Sequence, residues 1–74
     1  MDELLKILEE LHPEVDYMSR EKLIDDKILD SFDIITLIAE ISEKYDVRIP
    51  VDEIIPQNFN SARSLYALIE RLMD

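Results

Sequence analysis

Seventy-four residues carry 18 acidic against 8 basic side chains, a formal net charge of −10, with 47% of the chain apolar. That is enough apolar material for one packed core and too little chain for a deep catalytic cleft, so residues 1–74 read as a single domain. The sequence has no cysteine and no glycine, which excludes disulfides, thiolate nucleophiles, zinc knuckles and the glycine loops of nucleotide folds, while the charge disfavours nucleic acid and anionic membrane and favours a protein partner with a basic patch.

Behind Asp2 and Glu3, whose charges suit a helix N-terminus, Leu4, Leu5, Ile7, Leu8 and Leu11 recur at helical spacing until Pro13. The pattern predicts a first helix over residues 2–12. From Pro13 to Leu29 it weakens into a long connection, with Val15, Tyr17, Leu23, Ile24 and Ile28 expected to dip into the core. A second helix is expected to start at Asp30 or Ser31 and run to Tyr45, with Ile34, Leu37, Ile38, Ile41 and Tyr45 on its inner face. Phe32, Ile35 and Ala39 fall on a separate flank bordered by Thr36, Glu40 and Glu43. Either this flank is exposed or the long connection folds over it.

The segment "VDEIIP", bracketed by Pro50 and Pro56, predicts one or two turns of helix. Asn60 or Ser61 then caps a last helix to Met73, with Ala62, Leu65, Ile69 and Leu72 inward and Tyr66 and Leu68 at its edges. No period-2 strand and no internal repeat is present. The expected fold is all-α: a small antiparallel four-helix bundle of three long helices and one short. No apolar run is long enough to span a bilayer, and Met1 leads directly into a charged amphipathic stretch, so the expectation is a soluble, cytoplasmic chain without membrane insertion.

Asp30 and Ser31 before an apolar-periodic run are first of all a helix start, since their oxygens accept hydrogen bonds from first-turn amides. Asp30 suffices as the cap, with Asp33 closing a weaker version of a capping box. The Ser31 hydroxyl is then free, at a helix end whose amides and macrodipole favour an anion, although two neighbouring carboxylates oppose one.

Asp30-Ser31-Phe32-Asp33, followed one helix later by "YDVRIP" at residues 45–50, resembles the acyl and peptidyl carrier proteins. Their pattern is Asp-Ser-Leu or a close variant and then an aromatic-Asp-x-x-Ile/Val-Pro segment. The match needs no gap from Asp30 to Pro50, and the flanking helices agree in order and length. Within that family, "DVRIPVDEI" and "NFNSA" are most similar to the D-alanyl carrier proteins of Gram-positive cell-wall modification. One departure stands out: carriers of this kind have a glycine three or four residues before the serine, where this chain has Lys27 and Ile28.

The resemblance implies a free-standing carrier that catalyses nothing itself. A phosphopantetheinyl transferase would move 4'-phosphopantetheine from coenzyme A onto Ser31. The thiol of that arm, which agrees with a chain that has no cysteine of its own, would then hold an acyl or aminoacyl group as a thioester. The implied partners are that transferase, an acyl- or aminoacyl-activating ligase and a downstream transferase or synthase, visited by a monomer. Carried over by position, the docking surface would be Asp30, Phe32, Asp33, Ile35, Ala39 and Glu40, apolar at its centre and acidic at its rim. The alternative from a different class is an unprimed helical interaction module that binds through the same flank.

Other candidates are weaker. Asp25, Asp26, Asp30 and Asp33 could attract a divalent cation but lack the turn glycine and distal glutamate of an EF-hand, so no metal is expected. His12 has no serine or acid at a recognisable spacing and reads as a helix-end cap or surface residue. Tyr17, Tyr45 and Tyr66 read as core edges with hydrated hydroxyls.

Overall fold

In the computed structural model, which describes residues 1–73, the elements follow the expected order. Helix α1 spans Asp2–Leu11, α2 Ser31–Tyr45, α3 Pro56–Phe59 and α4 Ala62–Met73, with a 3-10 turn at Val51–Glu53 between α2 and α3. Among the described residues there is no strand, and no helix is long and apolar enough to cross a membrane.

Leu4, Ile7 and Leu8 of α1 are buried one above another, as the i, i+3, i+4 spacing requires. They face α2, whose Leu37 and Ile41 are fully buried while Ile34, Ile38 and Tyr45 of the same face are partly so. Helix α4 closes the bundle with Ala62, Leu65, Leu68 and Ile69. Leu68, expected at an edge, is completely buried. The cause is that α4 packs against both α1 and α3, so its apolar stripe is wider than one facing helix would need.

The segment between the two prolines also differs from expectation. It forms a 3-10 turn, an extended Ile55, and then a separate one-turn helix that begins at Pro56 instead of ending there. Proline lacks the N–H that a first helical residue leaves unpaired, so it starts a helix at no cost. The buried Asn58 side chain joins the two pieces by donating to the Glu53 carbonyl at 2.8 Å.

Helix α4 is capped by Ser61, whose Oγ accepts the Ser64 amide at 3.1 Å. Asn60 does something else. Its Oδ1 accepts the amides of Ile24 and Asp25 at 2.9 and 3.1 Å, and its carbonyl accepts the Leu23 amide at 2.8 Å. One residue therefore holds the middle of the long connection against the α3–α4 corner, where Leu23 is buried. Tyr17 holds the connection's beginning: its ring is in the core, and its hydroxyl lies 2.8 Å from the Leu8 carbonyl and 3.1 Å from the His12 carbonyl. The expected hydrated hydroxyl is thus a buried, bonded one. The Tyr45 hydroxyl is buried as well, without a partner among the described residues.

Candidate functional site

The approach to Ser31 is a turn of defined type. The Ile28 amide donates to the Leu23 carbonyl at 2.9 Å and the Lys27 amide to the Ile24 carbonyl at 3.0 Å, the paired 6→1 and 5→2 bonds of a Schellman motif. Its C′ position is Lys27, which is left-handed at φ 59°. This is the conformation that glycine adopts without steric penalty and an L-residue with a Cβ resists. The lysine keeps the turn that the missing glycine would have eased.

The chain then reaches Asp30 in an extended conformation, and α2 begins with Ser31. Asp30 Oδ1 accepts the Asp33 amide at 2.9 Å, and Asp33 Oδ2 accepts the Asp30 amide at 3.3 Å. The capping box is complete in both directions, so the serine is not needed as a cap. Ser31 is exposed, and among the described residues its hydroxyl makes no hydrogen bond.

The flank of α2 is open. Phe32 is 80% and Ile35 66% exposed, Ala39 is exposed, and Glu40 is partly buried at their side. The long connection does not cover them. Asp30 is exposed at the same end of the helix, but the Asp33 carboxylate is mostly shielded and turned towards α1.

What it meets there is His12. Nε2 of the ring lies 2.7 Å from Asp33 Oδ2, and Nδ1 lies 3.5 Å from Glu14 Oε1. The imidazole pKa is raised, first by the hydrogen bond to Asp33, against the opposing effect of burial, with the charges of Asp33 and Glu14 adding to the rise. Burial alone would push the Asp33 carboxyl up; the His12 and Asp30 hydrogen bonds outweigh it and hold the group below its ordinary range. His12, expected to lack an acidic partner, has one across 21 positions of chain. The pairing was invisible because it depends on how α1 crosses α2. In the sequence only the acid-histidine composition of the two helix ends hints at it.

A phosphate ester fits Ser31 on two of these observations, an exposed, unengaged hydroxyl and a helix N-terminus behind it, and the Asp33 carboxylate is turned away to the His12 ring. Beside α2, Ile24, Ile34, Ile54, Ile55, Pro56 and Phe59 line an apolar groove of about 220 Å³. Among the described residues no three acidic or histidine side chains converge as a metal site.

Comparison with known proteins adds independent findings. A family profile described as a phosphopantetheine attachment site matches residues 28–70. The D-alanyl carrier protein of Streptococcus sanguinis is 38% identical over 64 residues, which is 85% of this chain and 81% of that protein. Those of Streptococcus gordonii and Streptococcus thermophilus are each 36% identical over the same length and shares.

Proposed function

We propose, from the premise that the chain belongs to the phosphopantetheine carriers and within them to the D-alanyl carrier proteins, that Ser31 is the attachment residue and that the cargo is D-alanine. As a member of a carrier family it catalyses nothing itself, and 4'-phosphopantetheine is its prosthetic group. The observation that carries the assignment to Ser31 is its hydroxyl: exposed at the first position of α2, with Asp30 and Asp33 already supplying the cap.

The attached arm supplies the thiol on which an aminoacyl group is held as a thioester. The protein's own residues supply the rest. The capping box fixes the direction of the first turn, so that Ser31 faces a visiting enzyme with little conformational freedom left to lose. Phe32, Ile35 and Ala39 form a small apolar contact rimmed by Asp30 and Glu40, with Asp33 behind them. Such a patch supports brief docking by partners with basic surfaces, and the net charge of −10 speeds their approach. Three partners follow: a phosphopantetheinyl transferase, an aminoacyl-activating ligase and an acceptor transferase. Tethering raises the effective concentration of the cargo at each of them without requiring tight binding. The carrier works as a soluble cytoplasmic monomer.

The side chains that line the groove beside α2 are all apolar and give a D-alanyl ammonium group no side-chain partner. It could shelter an alkyl chain, so the cargo needs its own test. The holo chain, charged in an extract of its source, is treated with hydroxylamine and the released group identified. D-alanine hydroxamate, with the arm's thiol set free, supports the reading; a fatty hydroxamate overturns the cargo and keeps the carrier.

A further inference from the structure

His12 closes α1 and touches the capping box of the next long helix, which no cap within one helix requires. Asp33 Oδ2 accepts both the His12 ring at 2.7 Å and the Asp30 amide at 3.3 Å, so a single oxygen joins the end of α1 to the backbone one residue before Ser31. The pivot is firm, because the Tyr17 hydroxyl is bonded to the Leu8 and His12 carbonyls. We propose that His12 is a positioning residue for Ser31: its imidazolium, held between Asp33 of α2 and Glu14 of the connection, latches the first turn of α2 onto α1 and makes the presentation of Ser31 dependent on pH. This rests on Ser31 being the attachment residue.

The chemistry of the ring requires the proton. An imidazolium donates from both nitrogens, to Asp33 and to Glu14. A neutral ring has one N–H. If that proton sits on Nε2, the Nδ1 lone pair faces the Glu14 carboxylate at 3.5 Å; if it sits on Nδ1, the Nε2 lone pair faces Asp33 at 2.7 Å. Both arrangements set a lone pair against an anion, and even the Nε2–H tautomer, which keeps its hydrogen bond to Asp33, loses the charge that strengthens it, so loss of the proton weakens the latch. It also uncovers the Asp33 charge, which then repels any phosphate brought to Ser31.

The groups acting on the ring are acidic. Glu14 comes from the connection and Asp33 from α2, with Asp30 behind it; Glu9 of α1 acts on the neighbouring Tyr17 hydroxyl. Among the described residues, no lysine or arginine forms an ion pair with Asp33, so His12 is the one basic side chain paired with it, a cation whenever its ring is protonated.

The test uses the full chain, His12→Gln, which keeps a neutral donor towards Asp33, and His12→Ala. Amide and imidazole resonances are followed through a pH titration by NMR. The Asp30, Ser31 and Asp33 amides should move with the His12 ring in the wild type and lose that transition in both variants. Loading of Ser31 by one transferase with coenzyme A is then timed on wild type and His12→Gln, so that the transferase's own pH profile cancels in the ratio. The ratio should be about threefold below pH 6.5 and fall towards one as pH rises through the raised value of the ring, the scale that a partly exposed charge pair supports. Amides indifferent to the ring, or a ratio constant with pH, overturn the proposal. Coupled amides in a chain that no transferase loads overturn the attachment reading and with it the role of His12 in loading, while the latch itself has been measured separately.

Discussion

Replacing Lys27 by glycine should stabilise this protein, although it removes a side chain and adds backbone freedom. Lys27 is the left-handed C′ residue of the turn that delivers the chain to Asp30, at φ 59°. A left-handed L-residue with a Cβ costs roughly 1–2 kcal/mol. Glycine removes that cost but has about 0.5–1 kcal/mol more entropy to lose on folding. The midpoints of these ranges leave a gain of about 0.7 kcal/mol. Little is lost with the side chain, which is exposed and makes no ion pair among the described residues. For a domain of this size, that corresponds to a rise in Tm of about 3–6 °C.

Thermal and urea unfolding followed by helix circular dichroism would measure the change, with Lys27→Ala as the control. Alanine keeps the Cβ and should leave stability within about 0.5 kcal/mol of the wild type. Lys27→Asn should fall between them, because asparagine tolerates the left-handed region. If glycine gave no gain, or alanine gave the same gain, the strain assigned to this turn would be wrong.

The open flank of α2 and the closed core should respond oppositely to truncation. Phe32→Ala and Ile35→Ala should leave unfolding within about 0.5 kcal/mol of the wild type while slowing loading by the transferase, whereas Leu37→Ala should cost about 2–5 kcal/mol in a urea melt. Asn60→Ala strips the partner from the Ile24 and Asp25 amides and should cost about 1–3 kcal/mol, with hydrogen exchange accelerating in residues 23–25 before it does in α1. The Tyr17 phenol is pushed up from 10.0 to about 12, first by burial and then by Glu14, Asp33 and Glu9. The folded chain therefore keeps a proton that the unfolded chain releases: this contribution to stability is intact below pH 10 and is lost as pH rises from about 10 towards 12, which tyrosinate absorbance and a parallel urea series would both record.

The same sign argument bounds the His12–Asp33 pair. The His12 contribution is complete below its ordinary value of 6.5 and is lost as pH rises through the raised value. The Asp33 contribution is complete above 3.8 and is lost as pH falls through the lowered one. The pair is strongest between those limits.

Periodicity made the three long helices legible, and for a physical reason. Leu4, Ile7 and Leu8, or Leu37 and Ile41, are buried because their spacing matches the helix period, and burial of that stripe is what stabilises each helix. The Asp30 cap and the separate apolar flank at Phe32 and Ile35 were readable from the same rule. So was the pairing of Asp-Ser with "YDVRIP" one helix later.

What stayed hidden depends on how elements meet. Pro50 and Pro56 looked like two ends of one short helix, whereas proline's missing N–H makes Pro56 the first residue of α3. The missing glycine at Lys27 and Ile28 marked where a turn was to be expected, but not that the lysine would itself adopt the left-handed conformation and keep the Schellman bonds. His12 and Asp33, Tyr17 and Leu8, and Asn60 and Ile24 are linked across the fold by single atoms, and no local pattern records such pairs. Leu68 was placed too far out because the width of a buried stripe is set by the number of neighbouring helices, which α4 reveals only once packed.

The central claim concerns one hydroxyl, and mass spectrometry reads it directly. The chain is incubated with coenzyme A and a broad-specificity phosphopantetheinyl transferase, its intact mass is taken, and the modified peptide is fragmented. A gain of one phosphopantetheine located on Ser31, and absent from a folded Ser31→Ala variant, is the expected result. An unchanged mass with several competent transferases, or a gain that survives in Ser31→Ala, would contradict it, and an unchanged mass would leave the Phe32 flank as the working surface of an unprimed interaction module.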